Sequence, residues 1–106
     1  MGSHPENMKF FYMPSVPIET SKSGVLLTLD LYGLYKQQFT NPKVISAGAP
    51  TSIPVFQQPT DLYYYITDYD TTLFEEISIT ASGIMSYKIK NTVTSFSFIN
   101  IVFVIK

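Results

Sequence analysis

Hydrophobic positions alternate through the middle of the chain and become continuous near its end. Residues Thr92 to Ile105 form a β-branched and aromatic run without charge, Gly or Pro, apolar on both parities once it passes Ser97. A strand apolar on alternate residues covers one core, whereas this run needs apolar cover on both faces. The pattern predicts a strand inside a sheet or sandwich, with Ile101 and Phe103 buried. Val25 to Tyr32 alternates, with Val25, Leu27, Leu29 and Leu31 on one side and Thr28, Asp30 and Tyr32 on the other, as a half-buried strand does. Asp61 to Tyr69 is a second alternating strand. Leu62, Tyr64 and Ile66 share one parity, and Asp61, Tyr63, Tyr65, Thr67 and Tyr69 the other. Glu75–Thr80 and Ile84–Lys90 are joined by Ala81-Ser82-Gly83, a Gly-containing connection of hairpin length. Ile77, Ile79, Met85, Tyr87 and Ile89 would face the core, leaving Glu75, Lys88 and Lys90 in water.

Punctuation between these runs sets the organisation. Gly33 to Phe39 suits a short helix stopped by Asn41-Pro42. Prolines at 42, 50, 54 and 59 divide the following segment into Lys43–Ala47 and Ser52–Gln57, pieces suited to sheet edges or loops because Pro lacks the ladder donor. Pro14, Pro17 and the polar stretch Glu19–Gly24 mark residues 1–24 as a leader or loop, with Met1-Gly2-Ser3-His4 reading as the remnant of an expression tag. Residues 25–106 then form a single β domain. The expected fold is mainly β, an antiparallel β-sandwich or partly open barrel of six to seven strands with at most one short helix. An α+β arrangement with the Gly33–Phe39 turn packed on one sheet is the alternative. The paired Cys and core Trp of immunoglobulin domains are missing.

Composition narrows the chemistry. At 106 residues the chain fits one domain, burying roughly 60–70% of its unfolded surface. Only 14% of residues are charged, against an average near 25%, so Ser, Thr, Asn, Gln and Tyr carry solubility. Many secreted β domains have that surface chemistry, which favours a secreted or cell-surface location. The net charge is −1 and all seven basic residues are Lys, so the planar forks and basic stripe of a nucleic-acid binder are lacking. No run reaches membrane-span length, and Met8–Met13 lacks the basic start and apolar stretch of a signal peptide. Without Cys or Arg, and with His4 attributed to the tag, most routes to a catalytic site close. No Gly-x-Ser-x-Gly or phosphate-cradling loop occurs, and no enzyme activity or cofactor is expected.

Two segments carry candidate function. Asp68 to Glu76 places oxygen-bearing side chains where calcium could use them, but a calcium loop starting at Asp68 would need Gly where Leu73 stands and Glu where Ile79 stands. A solvated turn, with Asp bonding local N–H groups, is the preferred reading, and no metal is expected. The Asp61–Tyr69 strand is the stronger candidate. If Leu62, Tyr64 and Ile66 point inward, then Tyr63, Tyr65 and Tyr69 line the opposite face beside Asp61, where phenol rings can stack on sugars or anchor a protein. Such rows also pack against cross-strand neighbours or a second layer. The expectation is a non-catalytic binding or adhesion module for a glycan or protein, without nucleic-acid binding or membrane insertion. The alternative is a structural or assembly domain acting through strand-edge association.

Overall fold

The computed structural model describes residues 9–15, 18–90 and 98–106. Its elements are β1 (Phe10–Tyr12), β2 (Leu27–Asp30), α1 (Leu31–Thr40), a 3-10 turn (Pro59–Asp61), β3 (Leu62–Tyr69), β4 (Phe74–Ile79), β5 (Ile84–Ile89) and β6 (Ile99–Ile105). The fold is mainly β, sandwich-like, with two three-stranded antiparallel sheets ordered β1-β6-β3 and β2-β5-β4. The Thr92–Ser97 part of the expected final strand, and Met1–His4, read from the sequence as a tag remnant, lie outside the described residues.

The doubly apolar C-terminal run takes the central place that its pattern demands. β6 pairs with β1 on one side and β3 on the other. Ile101 and Phe103 are buried on its inner face, and Val102 and Val104 are buried on its outer face. Phe103 is the hub of the core, with ring centroids 5.2 Å from Phe11, 5.4 Å from Tyr35 and 5.0 Å from Tyr64. Across from it, Met85, Tyr87 and Ile89 project from the middle strand of the second sheet and are buried as their parity requires.

The alternation from Val25 to Tyr32 does not persist as one strand. β2 stops at Asp30, whose carboxylate accepts the Gly33 N–H at 3.0 Å and caps a helix beginning at Leu31. Satisfying a helix-end donor in this way favours the turn over continued extension. Leu31 and Tyr32 are therefore buried from the first helical turn, and Val25 is exposed. The helix ends at Thr40, one residue past its expected last residue and two earlier in its start.

The segment upstream of Val25 also belongs to the fold. Phe10–Tyr12 pairs with Val104–Val102 of β6, while Phe11, Met13 and Ile18 pack against the core. Lys43–Ala47 and Ser52–Gln57 form no strands, as the prolines dictate. Phe56 is nevertheless anchored: its carbonyl accepts the Tyr32 hydroxyl and its N–H donates to the Tyr35 hydroxyl at 3.0 Å.

The Ala81-Ser82-Gly83 hairpin forms as expected, with Ile79 opposite Met85 and Gly83 at φ +86. A bulge between Glu75 and Ser78, with Glu76 at φ 52, interrupts the parity of β4, so Phe74 and Ile77 both face the core. Glu75 is consequently half-buried rather than fully solvated. Lys88 lies 3.3 Å from the Glu76 carboxylate across the strand pair.

Candidate functional site

The outer face of the β1-β6-β3 sheet is assembled by cross-strand register. Val104 stands between Phe10 and Tyr63, and Val102 stands between Tyr12 and Tyr65. Because strand side chains alternate between faces, these six share the surface opposite Phe11, Phe103 and Tyr64. The two valines are only 8% exposed, whereas Phe10, Tyr12, Tyr63 and Tyr65 are 60%, 67%, 50% and 48% exposed. The aliphatic floor is thus covered by rings that themselves remain half in water. Phe10 and Tyr12 meet edge to face with centroids 6.4 Å apart, and the Lys106 ammonium lies 4.7 Å from the Tyr63 ring centre. Polar residues close both ends of the strip, Lys106 at one and Asp68 opposite Asn100 at the other.

The tyrosine row expected on β3 is therefore split. Tyr63 and Tyr65 project outward, and Leu62, Tyr64 and Ile66 turn inward. Tyr69 does not join the outer row. A bulge between Ile66 and Asp68 inserts one residue relative to β6, reversing the parity, and Tyr69 packs against the core. Asp61 lies in the 3-10 turn rather than on the strand, and its carboxylate accepts the Gln58 N–H at 3.1 Å. Phe10 and Tyr12, placed in the leader by sequence, supply the other wall. Their signal was a triplet of strand-favouring aromatic residues, Phe10-Phe11-Tyr12, too short to stand out before two prolines.

Tyr64 fixes this face from behind. Its hydroxyl donates to the Pro59 carbonyl at 2.6 Å, and burial pushes its phenol up to about 12, with smaller contributions from Tyr32, Asp30, Tyr35 and Asp61. Beside it, Leu62–Tyr65, Ile79–Ala81 and Lys106 border a shallow groove of about 270 Å³ at the β3 edge. Within the Asp68–Glu76 segment, Asp70–Leu73 forms a local turn between β3 and β4: the Asp70 carboxylate accepts the Thr72 N–H at 3.0 Å and the Thr72 hydroxyl at 2.6 Å. Among the described residues, no three His, Cys, Asp or Glu side chains are grouped as a metal site would need.

What the outer face can do follows from its surface. Exposed rings over a dry floor offer flat apolar area at little conformational cost, and the polar ends can orient hydroxyl or amide groups. No protein-family model matches the chain, and no curated protein or solved structure matches it significantly.

Proposed function

We propose that this protein is a non-catalytic binding module of adhesion type, secreted or displayed at a cell surface, whose outer aromatic face holds a glycan. The observation carrying this reading is the paired placement of Phe10 and Tyr12 on one side of Val102 and Val104, and Tyr63 and Tyr65 on the other. The apolar C–H face of a sugar ring stacks on such aromatic rings, while its hydroxyls reach Lys106, Asp68 and Asn100 at the ends of the strip. Successive rings on one strand face lie about 7 Å apart, two residues at roughly 3.3–3.4 Å each, so an extended oligosaccharide can engage more than one. Four large apolar side chains held in water around two covered valines also exceed the scattered exposure expected of an idle surface.

A melting-temperature screen against a glycan panel tests the reading. A ligand at a hundredfold over its dissociation constant stabilises the native state by about 2.7 kcal/mol, enough for a rise of several degrees. Tyr63→Ala and Tyr65→Ala should each abolish the rise while retaining cooperative unfolding. A rise produced by a protein ligand alone would replace the glycan with a protein on the same face. A rise unaffected by either substitution would remove the function from this face.

A further inference from the structure

β3 is an edge strand of the β1-β6-β3 sheet. In an antiparallel ladder successive residues alternate between bonding the neighbouring strand and pointing away from it. The Lys106 backbone N–H donates to the Asp61 carbonyl at 3.3 Å, and Asp61, Tyr63 and Tyr65 thereby share the phase that faces β6. Leu62, Tyr64 and Ile66 direct their backbone groups outward. The Leu62 N–H is taken by the Pro59 carbonyl, but among the described residues nothing bonds the N–H or C=O groups of Tyr64 and Ile66 across this edge.

The other edges are blunted. β1 has three residues and β2 has four, the latter running directly into a helix, while β4 carries Glu75, Glu76 and a bulge. β3 has eight residues, and from Leu62 to Thr67 it contains no charge and no Pro. Natural sheets use short strands, charge, Pro or bulges to prevent pairing. Here such devices begin only at Thr67 and Asp68.

We infer that β3 pairs antiparallel with β3 of a second copy of this chain, about a twofold axis at Tyr65. In that register Tyr64 of each copy faces Ile66 of the other, and the two residues exchange the backbone hydrogen bonds left open along the edge. Tyr65 meets its own counterpart as a non-hydrogen-bonded pair, the closer of the two pair types, on the outer face. Inside, Ile66 of the second copy approaches the groove bordered by Leu62, Tyr64, Ile79 and Ala81. The same residues serve both copies, so the contact is self-complementary and closed, as a twofold dimer requires. Pairing also joins the two outer aromatic faces into one surface, with Tyr63 and Tyr65 of both copies at its middle.

Sedimentation of the full chain across micromolar to submillimolar concentration tests this inference. The apparent mass should rise from 12.0 kDa toward twice that value. Tyr65→Lys sets like charges against each other on the axis, and Ile66→Pro removes an outward N–H without touching the β6 ladder. Both should return the mass to that of the monomer. Tyr12→Lys, on the same face but the opposite strand, should leave the dimer intact. Tyr65 is half exposed, so Tyr65→Lys retains the fold and decides the matter alone if Ile66→Pro fails to fold. A wild-type chain that stays monomeric, a dimer that survives in either folded β3 variant, or a dimer lost equally in Tyr12→Lys would overturn edge pairing. Glycan binding is read separately by thermal shift, so failure of either proposal leaves the other standing.

Discussion

Replacing Phe103 with Ala removes the ring on which both ends of the core converge. Phe103 is fully buried and makes edge-to-face contacts with Tyr35, Phe11 and Tyr64 at interplanar angles of 79°, 68° and 75°. Phe→Ala in a core costs about 3–5 kcal/mol through lost transfer energy and the cavity left behind. Each aromatic pair is worth about 0.5–1.5 kcal/mol beyond area burial, which places this site in the upper part of that range. Against a total stability of about 5–15 kcal/mol, the loss takes a large share and lowers the melting temperature on the order of 20 °C. Equilibrium urea unfolding is the assay, because a lower midpoint at constant slope isolates stability from changes in compactness. Tyr63→Ala, on the outer face, should cost less than about 1 kcal/mol in the same experiment. A Phe103→Ala loss under about 1 kcal/mol would refute the placement of this ring at the centre of the core.

Three further outcomes are expected. Phe11→Ala should destabilise the domain by about 2–4 kcal/mol in urea unfolding, since its ring packs on Tyr35, Phe39 and Phe103; an unchanged midpoint would detach β1 from the fold. Gly83→Ala should lower the thermal midpoint by several degrees, because φ is +86 and an added Cβ would stand 2.7 Å from the Tyr64 ring, whereas Ser82→Ala should not. Burial raises the phenol pKa of Tyr64 to about 12, and raises those of Tyr32 and Tyr87, above the ordinary 10.0. The folded state then holds these protons more tightly than the unfolded chain, so their stabilisation is complete below about pH 10 and is lost as pH rises toward 12. Stability measured across that range should fall, and a level profile would contradict the burial of these phenols.

The elements visible in the sequence were those in which side-chain pattern and backbone geometry agree. β6 was legible because its stretch from Ile101 to Val104 is paired on both sides and buried on both faces, which leaves no polar position there. The inward set Leu62, Tyr64 and Ile66 was legible because a core lies on one side only, and that parity placed Tyr63 and Tyr65 outside. Tyr69 was misplaced because a bulge is a backbone event that leaves the residue pattern unmarked. Leu31 and Tyr32 continued an alternation that the Asp30 cap converts into a helical turn. The far wall of the face was hidden for a different reason. Phe10–Tyr12 gains its stability from pairing with a strand some ninety positions later, and three residues carry too little periodicity to announce it.

The central claim is that a ligand lies on the strip formed by Phe10, Tyr12, Val102, Val104, Tyr63 and Tyr65. Amide chemical-shift mapping by NMR tests it most directly, with the glycan that raises the melting temperature most titrated into isotope-labelled protein. The expected result is a set of saturable shifts concentrated in β1, β6 and β3, absent in Tyr63→Ala. Shifts centred instead on β2, β4 or β5, or no glycan producing saturable shifts at all, would contradict the account.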